Sequence, residues 1–410
     1  MILRAIIANG FSWVKKHLDS VPLFNYCVVV CYVKSGSSRM SNTPYIVAFS
    51  LVSGIGPVKL RLIQEHFGDM SLAWRAGHAD LIAAGLDHRT AQELITRRPA
   101  ISPEREMDRL RDRGIGVVTW EHSSYPSRLK EIYGAPAVLY MKGSFLPEDE
   151  WAVAVVGTRR ATVYGKECTD HLVTGLSRNN ITVVSGLAKG IDTVAHQVAL
   201  REGGRTVAVL GSSLDNIYPA ENVRLAASVV ENGVLVSEYP LGTKPAATNF
   251  PWRNRIISGL SLGVLVVEAD ERSGARITVD YALEQDREVF AVPGGIFWPR
   301  SRGTNKWIKQ GAKLVMDVAD ILEELNLQMI PQQKEARVML PADDVEASLL
   351  SRLSRDPIHI DELRSASGLP IATVSSSLAM MELKGMVRQV GTMNYVLARE
   401  SSGEYKVEVE

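Results

Sequence analysis

Two stretches of this chain hold residues of the kind that grip phosphate. In VVGTRRATVYG an apolar run closes on Gly157 and is followed by Arg159 and Arg160. In VVSGLAKGID a second apolar run is followed by Ser185, Gly186, Lys189 and Gly190. Each loop leads into a helical pattern. It can therefore aim first-turn N–H groups, which have no partner inside the helix, at an anion that the helix dipole also favours. Small residues let a phosphate approach the backbone, Lys189 adds charge, and an arginine fork matches phosphate oxygens. Arg159, nearer the strand end, is the candidate of its pair. Neither loop has the Walker spacing or a G-x-G-x-x-G, so no dinucleotide class follows from them.

The third stretch is NFPWRNRIISGLS, residues 249–261, where Phe250 and Trp252 stand beside Arg253, Asn254 and Arg255. Rings next to guanidinium groups suit unpaired bases and their backbone. The competing reading puts Phe250 or Trp252 in the core and makes one arginine a structural ion pair, with Glu268 as its partner. GIFWPRSRGTNKWIKQG then adds Arg300, Arg302, Asn305, Lys306 and Lys309, opposed by Glu268, Asp270 and Glu271. Asp192 and His196 are four apart on a helical pattern. No serine, cysteine or metal-ligand spacing joins them, so a structural hydrogen bond is favoured over acid–base chemistry.

The elements that must position these residues follow from periodicity. Six short β-branched runs, AVAVVG, ITVVSG, TVAVLG, VLVSEYP, GVLVVEA and EVFAVPG, alternate with helical patterns across residues 151–330. That alternation predicts an α/β fold with a Rossmann-like, doubly wound, mostly parallel sheet. Ligands of such sheets sit beyond the carboxyl ends of the strands, which is where the three stretches fall. Residues 41–103 read as a small helical domain, and GIGPVKLRLI within it resembles a helix-hairpin-helix (SAM-like) turn, with a packing module as the alternative. Residues 104–150 read as a connector, with a charged helix in EREMDRLRDR, a strand in GIGVVTW and a turn-rich stretch after it, and 331–340 as a linker. Residues 341–400 read as a winged helix of three helices and a two-stranded wing. Its candidate recognition helix, PIATVSSSLAMMELKG, exposes mainly Thr373, Ser375, Ser376 and Ser377, and only Lys384 is basic. A protein-contact or structural role for the wing is therefore favoured over DNA reading. Residues 401–410 form a tail.

The totals restrict the partner. The 410 residues carry 46 Lys+Arg and 46 Asp+Glu, so any nucleic-acid surface must be local. Cys27, Cys31 and Cys168 make neither a disulfide framework nor a metal set, which suits a reducing cytoplasm. No metal or cofactor is expected. In residues 1–40, Lys15, Lys16 and His17 precede VPLFNYCVVVCYV. That run is interrupted by Asn25, too short to span a bilayer, and followed by no A-x-A site. We read it as an extension upstream of a working chain that starts near Met40, with no membrane span.

Taken together, VVGTRRATVYG, SGLAKGIDTVAH, LGSSLDNIYPAEN, SEYPLGTKP, NFPWRNRIISGLS, VVEADERSGARITVDYALEQDREVFAVPGG and GTNKWIKQGA resemble the DNA-processing protein A family (DprA, also called Smf). The resemblance runs in uninterrupted order through nearly all of 151–325, and both flanks agree with it. It implies a core that binds single-stranded DNA, protects incoming strands and loads RecA recombinase during natural transformation. It also implies a homodimer and no established catalytic activity. Carried over by position, Gly157 and Arg159 match the first phosphate loop and Ser185, Gly186, Lys189 and Gly190 the second, where arginine is common in place of Lys189. Phe250, Arg253, Asn254 and Arg255 match the aromatic–basic segment. After Tyr218 and Pro219 many members carry a lysine that helps hold DNA; here the residue is Ala220.

Two other functions compete. PGG at 293–295 and GTN at 303–305 resemble the PGGxGT motif of phosphoribohydrolases, but residues 296–302 intervene and no glutamate follows GT as that motif requires. A duplex-DNA regulator acting through the wing is opposed by the few basic residues of its helix.

Overall fold

The computed structural model describes residues 42–327, 344–354, 357–383, 387–389 and 393–397. The extension over 1–40, the linker over 331–340, Lys384 and the tail lie outside them. Six helices open the described chain: α1 (Thr43–Ser50), α2 (Pro57–Phe67), α3 (Met70–Arg75), α4 (His78–Ala83), α5 (His88–Arg97) and α6 (Pro103–Arg111). Then come β1 (Gly116–Thr119), α7 (Ser127–Lys130), β2 (Val138–Gly143), β3 (Ala152–Val156), α8 (Val163–Arg178), β4 (Thr182–Ser185), α9 (Ile191–Arg201) and β5 (Thr206–Val209). The core continues through α10 (Val223–Asn232), β6 (Gly233–Ser237), α11 (Asn249–Gly259), β7 (Gly263–Val266), α12 (Ala275–Glu284) and β8 (Glu288–Ala291). It closes with α13 (Arg302–Lys309), β9 (Lys313–Leu314) and α14 (Val318–Glu324).

Nine strands form one sheet in the order β1-β2-β6-β5-β4-β3-β7-β8-β9. The six runs marked by the alternation are its six central strands, and every pairing from β6 across to β9 is parallel. The chain winds outward from β3 through β4, β5 and β6, then returns to the other side of β3 with β7. That reversal between β3 and β7 is the switch point of a doubly wound sheet. Period-two packing decides which face each residue serves. Ala152, Ala154 and Val156 join the core on one face, while Val153 and Val155 pack on the other with Leu172, Leu176, Ala195 and Val198 of α8 and α9. Strands buried on both faces read as the unbroken apolar runs seen in the sequence.

The segment expected to be a connector is corrected by this sheet. β1 and β2 pair with each other antiparallel, and β2 continues antiparallel onto β6. The alternation could not show this, because β1 and β2 are antiparallel and the stretch that joins them holds only the four-residue α7. The helical domain sits on this extension. Ser50 and Tyr140 share a 2.9 Å hydroxyl hydrogen bond, and the Trp120 indole N–H donates to Gln64 at 2.6 Å. In the helix-hairpin-helix stretch the Lys59 ammonium donates to Asp87 at 2.6 Å and to Thr90 at 2.7 Å.

C-terminally, α15 (Asp344–Leu350), β10 (Ile358–His359), α16 (Ile360–Ser367), α17 (Ile371–Leu383), β11 (Val387–Gln389) and β12 (Asn394–Leu397) make a separate small core around Leu349, Leu363, Val374, Leu378 and Tyr395. The wing has a third strand, with β12 between β10 and β11. On α17, Ser375 and Ser376 are exposed and Thr373 and Ser377 half-buried. Among the described residues no helix is long and apolar enough to cross a membrane.

Candidate nucleic-acid interface

The loops after β3, β4 and β5 and the start of α11 meet at the carboxyl ends of the strands. Arg159 and Lys189 are exposed there, and Phe250 and Asn254 are half-buried. Phe250 lies against the backbone at the end of β5; a Cβ on Gly211 would sit 2.7 Å from its ring. The Arg159 guanidinium is 5.8 Å from the centroid of that ring, within cation–π range. Tyr218, from the third loop, places its ring centroid 5.4 Å from that of Phe250 with the planes 48° apart. The Lys189 ammonium sits 2.5 Å from the Glu221 carboxylate. The mouth thus combines two rings, two cations and one acid.

Beneath it the structure corrects the phosphate-cradle reading of the glycines. Room beside each one is already taken by protein. A Cβ on Gly190 would meet the Thr158 carbonyl at 2.3 Å, and one on Gly157 would meet Ile191 at 2.6 Å. Gly190 also holds φ +80°, which a side chain opposes. These residues let the first two loops pack on one another. Ser185 is buried, donating its hydroxyl to the Val155 carbonyl at 2.6 Å.

Arg253 and Arg255 are corrected as well: both point inward. Arg253 donates to the Gly186 carbonyl at 2.8 Å and to the Val209 carbonyl, tying the β4 loop to the end of β5. Asp192 faces the same point and accepts from the Gly186 N–H at 3.1 Å and the Ala188 N–H at 3.4 Å. A Cβ on Gly186 would touch both side chains, at 2.6 and 2.8 Å. Burial brings Arg253 down to about 10, against the pull of Asp192. Burial likewise pushes the Asp192 carboxyl up, although Arg253 and the two N–H groups oppose it. Arg255, 1% exposed, makes the structural ion pair expected of one arginine, but with Glu238 at 2.6 Å and not with Glu268. Its guanidinium also lies 4.1 Å from the Trp252 ring. His196 is fully buried and bonds to Thr206 at 2.7 Å, apart from Asp192, and burial takes it down to about 3.

Glu268 has a different task. It follows β7 at the switch point and its carboxylate accepts from Thr162, at 2.9 Å from the N–H and 2.5 Å from the hydroxyl. Thr162 caps α8, accepting from the Gly165 N–H at 3.0 Å. The helix N-terminus where a Rossmann fold seats phosphate is therefore filled by a carboxylate of the chain itself.

A family model described as DNA recombination-mediator protein A matches residues 116–326. The chain belongs to that family. A second model, the DprA winged helix domain, matches residues 333–391. Protein Smf of Synechocystis is 33% identical over 392 residues, spanning 87% of this chain and 98% of its own length. Protein Smf of Escherichia coli K12 is 38% identical over 348 residues, 81% of this chain and 93% of the other. The X-ray structure of DNA processing protein A from Streptococcus pneumoniae superposes with a TM-score of 0.62 at 36% identity, covering 70% of this chain and 98% of that one. The family match starts at β1, in agreement with the nine-stranded sheet.

Sequence reasoning missed Tyr218 and the role of Glu268. For Tyr218 the available signal was an aromatic residue beside a proline in a loop at a strand end. For Glu268 it was an acid immediately after a buried strand, where a solvated carboxylate is out of place.

Proposed function

We propose that this chain binds single-stranded DNA across the carboxyl ends of β3, β4 and β5. The observation that carries this reading is the Arg159–Phe250–Tyr218 cluster at the mouth, with Lys189 beside it. Arg159 and Lys189 take phosphates, and bases lie on the rings. A paired base cannot turn its face to a ring, so duplex binds worse. Gly157, Ser185, Gly186, Gly190, Arg253 and Arg255 shape the loops, the first two loops are locked together beneath the strand, and half-buried Asn254 stays at the mouth, accepting from Arg253 at 3.2 Å. From the family resemblance we further infer protection of incoming strands in transformation, loading of RecA recombinase, a homodimer, action in the cytoplasm, and no catalysis by this chain.

The phosphoribohydrolase reading loses support from Glu268, because a nucleotide phosphate at the α8 N-terminus would meet a buried carboxylate. The duplex reading loses support from α17, whose sequence IATVSSSLAMMEL holds no lysine or arginine for phosphates.

Fluorescence anisotropy with a labelled single strand and its duplex, across a salt series, tests the proposal. Tight, salt-sensitive single-strand binding that Arg159→Ala and Lys189→Ala weaken is the expected result. Equal duplex binding, untouched by either variant, would move the DNA site to a flanking domain. RecA filament nucleation on the bound strand, read as DNA-dependent ATP hydrolysis, tests the loading step.

A further inference from the structure

We infer that Tyr218 and Phe250 form a two-ring step that accepts successive bases of one strand at different tilts. The inference rests on the single-strand reading above. Tyr218 is 45% exposed and stands in the loop after β5 with Phe250 as its aromatic neighbour. The Phe250 ring lies close to the backbone at Gly211, where a Cβ would sit 2.7 Å from it. The ring centroids are 5.4 Å apart, but the planes diverge by 48°. Two rings at that angle cannot be faces of one stacking site, since a base parallel to one is oblique to the other. They can serve two bases, provided the strand turns between them. Bases in a duplex stay nearly parallel and stacked, so a duplex cannot use both rings together. A flexible single strand can, which makes the tilt itself a source of selectivity. Because every base has a π-face, the step is indifferent to sequence.

Arg159 lies over the Phe250 ring and must leave its face for a base to stack there. Lys189 serves the phosphates from a separate position, the β4 loop beside Glu221. This separates the contribution of bases from that of the backbone, and the two can be measured independently.

The experiment compares oligothymidylate with an abasic deoxyribose-phosphate chain of equal length, using the full chain and its Tyr218→Ala, Tyr218→Phe and Lys189→Ala variants. Tyr218→Ala is expected to weaken oligothymidylate about 5- to 160-fold, the range for one lost base–ring stack, and to leave the abasic chain unchanged. Tyr218→Phe is expected to bind as the parent does. Lys189→Ala is expected to weaken both polymers alike. Equal loss on both polymers with Tyr218→Ala, or no loss on either, would overturn the two-ring step while Lys189→Ala still reports on the single-strand reading. If the parent chain binds neither polymer, the single-strand reading falls and this inference with it.

Discussion

Thr162 and Glu268, separated by 106 residues in sequence, are joined by two hydrogen bonds at the head of α8. The carboxylate takes the backbone N–H and the hydroxyl of the same residue, at the switch point between β3 and β7. It is the local substitute for an external anion. Gly165→Ala would thrust a Cβ to 2.3 Å from Glu268 Oε2 and drive the carboxylate off its donors. A loss of about 1–3 kcal/mol is expected, the cost of leaving a buried donor unmet. Urea unfolding of Gly165→Ala against the parent measures it, and an unchanged midpoint would mean that the carboxylate re-seats without cost.

Arg255 and Glu238 make the best-buried ion pair at the site, with side chains 1% and 10% exposed. Arg255→Met leaves Glu238 charged and unpaired, and should cost about 3–5 kcal/mol. Adding Glu238→Gln should recover much of that loss. A double-mutant cycle read by denaturant unfolding checks the coupling; additive losses would deny it.

Lys189 must leave Glu221 to meet a phosphate. The pair is exposed, so its own strength is small, about 0–1 kcal/mol. Glu221→Gln should therefore raise single-strand affinity by no more than about 5-fold at low salt. The gain should fade as salt rises, and anisotropy titrations at two ionic strengths test this.

Arg159→Ala removes one phosphate contact. The slope of log affinity against log salt should become shallower by about 0.7, the single-strand value per phosphate. An identical slope would place Arg159 off the backbone path.

His196 and Asp192 give acid stability two opposite components. Folded His196 resists protonation down to about 3, whereas the unfolded side chain takes a proton near 6.5. Stability therefore falls as pH drops below 6.5, by up to about 1.4 kcal/mol per pH unit for this group. Asp192 acts in reverse. Its raised carboxyl binds a proton more readily folded than unfolded above 3.8, so acidification relieves the cost of its buried charge. His196→Gln should flatten the acid limb of a stability–pH profile, and a limb as steep as the parent's would assign it to other groups.

How far the sequence reveals this molecule differs from part to part. The six central strands are plain in it because each is buried on both faces and closes at a loop, so composition and period agree. β1 showed as the apolar GIGVVTW run, but β2 was hidden, since a short antiparallel strand in a turn-rich stretch looks like connector. Among the site residues, Arg159, Lys189 and Phe250 stand at the mouth as their loops suggested. The inward turn of Arg253 and Arg255 was not readable, because it depends on carbonyls at Gly186, Val209 and Gly134 that other elements deliver. An arginine in a basic cluster looks the same whether it faces a phosphate or a carbonyl. The glycines misled for a related reason: closeness was required, but to a neighbouring loop.

The antiparallel pair β1–β2 has one more consequence. A fragment cut at residue 150, where strand–helix alternation begins, would strip β2 from β6 and leave the row of amides and carbonyls along β6 open. An uncovered flank of that kind recruits other chains and precipitates. β2 is the strand that covers this flank and β1 covers β2 in turn, and the helices before them supply the contacts to Trp120 and Tyr140 that hold the cover in place.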